Sequence, residues 1–154
     1  MLTRKEFALV ILTVLATAGL AALAQSAKKS AMNSAAIEWN SLTANPTATG
    51  TSRKFFEGPT ATLDVLECHV STLNPGATNH VILTRPDDEV IIIKEGTIEA
   101  YVKDRWVRVG PGSVIYNAAN EPQSMRNVGD VPAAYHVIMM RPPAAAKPLV
   151  GKPN

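Results

Sequence analysis

The sequence has little cysteine, few aromatic residues and no excess of charge of one sign. A single cysteine, Cys68, in 154 residues excludes an internal disulfide framework and any zinc cluster built from cysteines. Fifteen basic and thirteen acidic side chains give a formal net charge of +2. Basic residues form only pairs, such as 28–29 and 53–54, so the basic stripe of a nucleic-acid-binding protein is missing. A hydrophobic content of 46% with 18% charged residues indicates a folded chain of about one domain.

The first 24 residues have the organisation of an export signal. Arg4 and Lys5 precede an uncharged stretch over 8–24, which ends in the small-x-small triplet Ala22-Leu23-Ala24. We predict cleavage after Ala24 and a mature protein outside the cytoplasm, periplasmic or extracellular, with no membrane attachment. The alternative is a retained anchor, because 17 residues reach the lower limit for a spanning helix. Residues 3–9 also resemble a twin-arginine signal with Lys5 at the second arginine, so the general or the folded-protein export route could apply.

The rest of the chain divides into a linker over 25–36, one globular block over 37–141 and a tail rich in proline and alanine over 142–154. Short runs rich in β-branched residues alternate with turn signals in the block, and no stretch after the leader favours a helix of ten or more residues. This pattern predicts an all-β sandwich or small barrel. The predicted strands are 61–73, 81–84, 89–94, 97–102, 106–109, 113–117, 124–127 and 133–140.

The turn spacing over residues 76–127 resembles the two sequence motifs of the cupin family, which are small jelly-roll β-barrels. Gly76 opens the first motif, and six residues separate Glu89 from Gly96, as the motif requires. Gly112 and Asn127 occupy the two ends of the second motif, after a 15-residue gap over 97–111. The resemblance implies a single-domain jelly-roll barrel over 37–141.

The same resemblance implies a divalent metal held by two histidines and a glutamate of motif one and a histidine of motif two. Only Glu89 remains here, because the motif-two histidine position holds Gln123. The two motif-one histidine positions fall on residues 82 and 84 or on 83 and 85, depending on the loop count, and neither choice supplies a ligand. His80 lies just before them, so a bound metal would have at best Glu89, His80 and Gln123. Since a metal site needs about three good donors, we expect no tightly bound cofactor.

Two charged residues of motif one are candidates for a binding pocket. Glu89 begins a hydrophobic run and either faces the barrel interior, at the spacing of the motif, or is solvated beside Asp87 and Asp88. Arg85 either occupies a lost histidine position near Glu89, where it would anchor an anionic ligand or form an ion pair, or points to water. We predict that His80, Arg85, Glu89 and Gln123 line one pocket.

Strand alternation places Cys68 with apolar neighbours on one face of the run 66–71, and Glu67 and His69 on the other. We expect Cys68 to be a buried, unreactive thiol. Glu67 and His69 are expected to face solvent or a partner subunit, with the barrel interior as the alternative. His136 is expected to be a structural histidine.

Two classes of function remain open. The first is an exported barrel without a full metal site that binds a small molecule or serves as a structural module, as a homodimer. The second is a metal-dependent cupin enzyme of the dioxygenase, isomerase or hydrolase type with altered ligands. Whether the protein is an enzyme is left open by the sequence, as is a role in a larger exported assembly through strand edges, because one fold supports many functions.

Overall fold

The structure is a computed structural model that describes residues 30–144. The predicted signal peptide, and the outer parts of the predicted linker and tail, lie outside the described residues. A short 3₁₀ helix, Trp39–Ser41, precedes nine strands. No helix within the described part of the chain is long and apolar enough to cross a membrane. The strands are β1 (Asn45–Thr47), β2 (Gly50–Gly58), β3 (Val65–Leu73), β4 (Asp88–Glu95), β5 (Ile98–Val102), β6 (Arg105–Val109), β7 (Val114–Asn117), β8 (Ser124–Asn127) and β9 (Ala133–Arg141).

The strands form two antiparallel sheets, as the all-β prediction requires. The larger sheet has the order β1-β2-β3-β9-β4-β7, and the smaller sheet has the order β6-β5-β8. Apolar side chains from both sheets meet in one core, so the sheets pack face to face. The core includes Leu73, Ile91, Ile93, Tyr135 and Val137 from the larger sheet and Ile98, Ala100 and Met125 from the smaller sheet.

Three tight turns account for the compact connections. Lys103 and Asp104 join β5 to β6 with positive φ angles of 49° and 59°, the geometry of a two-residue hairpin turn. Gly96 ends β4 at φ 81°, and a side chain there would meet Ala133 at 2.6 Å, so both the backbone and the space require glycine. Gly112 adopts φ 83° in the turn before β7, where nothing crowds it.

Three parts of the strand prediction differ from the structure. Residues 61–64 were predicted as the start of a strand, but β3 begins at Val65. Residues 81–84 form no strand, because Leu83 makes only an isolated bridge to Gln123, and Val81 and Ile82 are exposed. Strands β1 and β2 were not predicted, since their threonines, serine and charged residues give no clear alternation. They form nevertheless because β2 pairs along most of its length with β3.

Candidate functional site

A cavity of about 370 Å³ opens on the inner face of the larger sheet. Three structural parts contribute to its wall: the central strands β3, β4 and β9, the β1–β2 hairpin, and the loop between β3 and β4. Most of its lining side chains can form hydrogen bonds. The lining residues are Thr47, Thr49, Thr51, Glu67, His69, Ser71, Thr72, Asn79, His80, Arg85, Glu89, Ile91, Met125, Tyr135, Val137 and Met139.

Strand pairing fixes which of these residues share a row of the sheet. Glu67 of β3 is opposite Met139 of β9, which is opposite Glu89 of β4. Glu67 and Glu89 therefore lie two strands apart, about 10 Å between their strand axes. A small molecule between β3 and β4 would reach both carboxylates.

Glu67 and His69 form a side-chain pair on β3. The Nδ1 atom of His69 lies 3.1 Å from Oε1 of Glu67, and Nζ of Lys54 lies 3.5 Å from the same oxygen. Glu67 is more deeply buried than Lys54, so the carboxylate sits between the histidine and a cation at the rim. This arrangement occupies Nδ1 of His69 and leaves its Nε2 atom without a partner among the described residues.

Tyr135 lies next to this pair, on the neighbouring strand. Ser71 is its direct partner across β3 and β9, which makes His69 and Tyr135 diagonal neighbours, roughly 7–8 Å apart between backbones. Burial raises the pKa of Tyr135 to about 12; the Glu89 carboxylate adds to the rise and a hydrogen bond with Ser71 opposes it. At neutral pH the phenol therefore keeps its proton and can donate a hydrogen bond.

Glu89 is fixed from the side of β7. Nδ2 of Asn117 donates to Oε2 of Glu89 at 3.0 Å and to Oε1 of Gln123 at 2.7 Å. Gln123 is only 2% exposed, and its Nε2 atom is buried without a partner among the described residues. Gln123, which was predicted to line the cavity, thus lies behind its wall and reaches Glu89 through Asn117.

The loop before β4 brings His80 and Arg85 to the cavity. Oδ1 of Asn79 accepts hydrogen bonds from the backbone N–H groups of His80 and Met125, each at 2.8 Å. Oγ of Ser124 donates to the His80 carbonyl at 2.7 Å, which fastens this loop to β8. Nδ1 of His80 lies 2.7 Å from the carbonyl oxygen of Val81.

Arg85 lines the cavity and has no ion pair with any described residue. Leu83, two residues earlier, bridges to Gln123, whereas Ile82 and Thr84 are exposed. Of the two possible pairs of motif-one positions, residues 83 and 85 are the less exposed, and Arg85 of that pair lines the cavity.

These donors do not fit a catalytic metal. Among residues 30–144, no three His, Cys, Asp or Glu side chains are grouped so that they could hold a metal ion. The amide oxygen of Gln123 already accepts a hydrogen bond from Asn117, and Arg85 brings a positive charge to the cavity that Glu89 also lines.

The structure also shows where the other residues with a stated expectation lie, namely Glu67, His69, His136 and Cys68. The first expectation for Glu67 and His69, that they face solvent or a partner, is wrong, because both line the cavity. The alternative that the sequence left open was the right one. His136 lies on the outer face of the sheet and stacks on Phe55, with ring centroids 6.3 Å apart. Cys68 is half-buried, and burial raises the pKa of its thiol, which disfavours the reactive thiolate.

Two antiparallel sheets around a cavity of this size define a small β-barrel. Residues 69–139 match the family described as "Cupin domain". No curated protein sequence matches the chain significantly. The chain therefore contains a cupin domain, as the spacing of its two motifs predicts.

Several solved structures have a fold similar to that of this chain. KdgF from Halomonas sp. matches with a TM-score of 0.60 at 10% identity, over 73% of this chain and 97% of that chain. An RmlC-like cupin from Shewanella frigidimarina gives 0.59 at 9% identity, over 73% and 95%. The polyketide cyclase RemF from Streptomyces resistomycificus gives 0.58 at 16% identity, over 75% and 89%. At these identities the likeness establishes the fold alone.

Proposed function

We propose that this cupin barrel binds a small polar molecule in the cavity between β3, β4 and β9. The observation that carries the proposal is the wall itself: about 370 Å³ lined mainly by hydroxyl, carboxylate, imidazole and guanidinium groups. A volume near the lower end of ligand pockets suits a small metabolite better than a polymer chain. Arg85, without an ion-pair partner among the described residues, gives the cavity a group that attracts a carboxylate or another anion.

The proposal includes the absence of a tightly bound metal ion. Its support is the donor set, in which Glu89 is accompanied by an arginine and by a glutamine whose oxygen is already engaged. The alternative is a metal-dependent enzyme with His80, Glu89 and Gln123 as altered ligands. It is favoured by the position of His80 and Glu89 on one cavity, and by the similarity to a structure named as a polyketide cyclase.

We also propose that the protein is exported and forms homodimers. The support for export is the pattern of charged, apolar and small residues over 1–24. The support for a homodimer is the outer face of the larger sheet, where Ile92 pairs with Val114 and Val90 with Tyr116. Val114 and Tyr116 are 61% and 57% exposed, an unusual position for such side chains on a sheet.

Binding is testable without knowledge of the natural ligand. Saturation-transfer NMR with a panel of small hydroxy- and keto-carboxylates and uncharged polyols should identify binders, and Arg85→Gln should weaken the carboxylates more than the polyols. His136→Gln is the matched control, because His136 lies on the opposite face of the sheet. A panel on which wild type, Arg85→Gln and His136→Gln behave alike would contradict the proposal.

A further inference from the structure

We propose that His69, oriented by Glu67, is the proton acceptor of an acid–base site that works in this cavity without a metal ion. The inference rests on the proposed function, since it assigns chemistry to the same cavity. Its first basis is geometric: Nδ1 of His69 lies 3.1 Å from the Glu67 carboxylate, and His69 lines the cavity. A carboxylate on Nδ1 favours the tautomer with the proton on that atom, which leaves Nε2 with its lone pair.

Burial of the pair strengthens this assignment. The side chains of Glu67 and His69 are 14% and 23% exposed, so water screens their interaction less than that of a fully exposed pair. Nζ of Lys54 lies 3.5 Å from the same carboxylate oxygen, so Glu67 is near a cation as well as the imidazole. In general acid–base catalysis the base is typically oriented by a hydrogen bond to a second side chain, as His69 is by Glu67.

The proton donor of the site is the phenol of Tyr135. It is the diagonal neighbour of His69 on the sheet, so a molecule of a few atoms would contact both groups. The burial that keeps this phenol protonated also makes it a fixed hydrogen-bond donor in surroundings with little water. Arg85 supplies the one cation of the cavity wall without an ion pair among the described residues.

These groups fit a small hydroxylated carbonyl compound, above all a keto acid. Nε2 of His69 would take a proton from the carbon next to the carbonyl, and the electron pair of the C–H bond would move to the carbonyl oxygen as an enolate. Tyr135 would donate a hydrogen bond to that oxygen, and Arg85 would bind the carboxylate. If the proton returns from His69 to the same carbon, the reaction is an exchange. In an isomerisation it returns to the former carbonyl carbon, while Tyr135 gives its proton to the enolate oxygen and takes up the proton of the neighbouring hydroxyl, which becomes the new carbonyl. Neither reaction needs an oxidant or reductant.

Hydroxyl groups opposite the pair favour this substrate class. Thr47 and Thr49 line the cavity on the side of the β1–β2 hairpin, and Ser71 of β3 lines it beside Tyr135. These hydroxyl groups offer donors and acceptors for substrate hydroxyls, which suits a polar ligand better than a hydrocarbon.

The test is hydrogen exchange in D₂O, with purified full-length protein that has been treated with a chelator. The probes are pyruvate, hydroxypyruvate and dihydroxyacetone, followed by the loss of their C–H proton signals in ¹H NMR. Wild type should accelerate exchange of at least one probe, and His69→Gln should reduce the acceleration by about 100-fold or more, the usual contribution of a positioned base. His136→Gln, the outer-face control, should match wild type.

Glu67 acts through His69 and is a positioning residue, so it requires its own readout. The ¹⁵N chemical shifts of His69 should show the proton of the neutral ring on Nδ1 in wild type. In Glu67→Leu they should move towards the form protonated on Nε2, and exchange should slow. A merely structural role of Glu67 would leave the tautomer unchanged.

Exchange that is no faster with wild type than with His69→Gln, for all three probes, would overturn the proposal. So would a proton on Nε2 of His69 in wild type. Saturation transfer with the same probes separates the two claims: probes that bind without exchange overturn this inference alone, whereas the absence of any cavity-dependent binding overturns the proposed function as well.

Discussion

Asn127, at the end of the second cupin motif, should be the most important polar side chain for the stability of the barrel. It is 1% exposed, and its Nδ2 atom donates to the carbonyl oxygens of Leu73 and Val131, each at 2.8 Å. Its Oδ1 atom accepts from the backbone N–H of Gly129 at 2.9 Å. The side chain thus ties the end of β3 to the turn after β8, in the interior of the protein.

Replacement of Asn127 by alanine removes three hydrogen bonds and leaves their backbone partners unsatisfied. With a net value of about 1 kcal/mol for each bond, the free energy of unfolding should fall by about 3 kcal/mol. Urea denaturation, extrapolated linearly to water, measures this quantity. Asn74→Ala is the matched control, because Asn74 is exposed and its side chain makes no hydrogen bond with a described residue; it should change stability by less than about 0.5 kcal/mol. Equal, small losses in the two variants would refute the reasoning.

Three further predictions concern stability. Tyr135 has an ordinary pKa of 10 when unfolded and about 12 when folded, so the unfolded chain loses this proton first as the pH rises. Stability should therefore fall by about 2–3 kcal/mol between pH 10 and 12, and urea denaturation should show a smaller fall in Tyr135→Phe. Gly96→Ala should cost clearly more than the roughly 1 kcal/mol of Gly112→Ala in thermal unfolding, because both have positive φ but only the first meets β9; equal losses would count against this. Arg141→Gln should cost about 3 kcal/mol, since it leaves the buried Asp87 carboxylate without its two hydrogen bonds; a loss below about 1 kcal/mol in urea denaturation would contradict that.

The sequence predicted the turns and strand ends of the fold best, because they depend on residues that shape the backbone. Gly96, Gly112 and Asn127 keep the spacing of the cupin motifs, and each has a structural task here that depends on its own chemistry. Strands over 98–109 and 124–141 were predicted almost to the residue, because their β-branched runs end at clear turns. The metal-ligand positions carry no such constraint, so they can change while the barrel remains.

The candidate site was harder to predict, because the alternation of β3 misleads. Its outward face carries Cys68 and Val70, whereas its inward face carries Glu67 and His69. Val70 is nevertheless only 4% exposed, so both faces of β3 are covered, and an apolar face does not by itself identify the side of the cavity. The signal that could have identified that side is Leu73, which shares a face with Glu67 and His69 and is almost fully buried. Strand β3 thus directs polar side chains into the cavity and apolar side chains to its other, partly covered face.

Two elements were beyond sequence reasoning for a different reason. Strands β1 and β2 carry little hydrophobic periodicity and form through pairing with β3, which is a tertiary effect. The predicted strand at 81–84 has β-branched residues but pairs only through Leu83, in an isolated bridge to Gln123. Its residues instead form the loop that carries His80 and Arg85 to the cavity.

Metal content is the measurement that tests the central claim, a ligand cavity without a metal centre, most directly. Protein purified without added metal and dialysed against a mild chelator should contain well under one equivalent of transition metal per chain in elemental analysis. A variant with histidines at 83, 85 and 123, beside Glu89, is the positive control and should take up metal under the same conditions. Near one equivalent of iron, manganese, nickel or zinc in the wild type, lost on Glu89→Ala, would contradict the account.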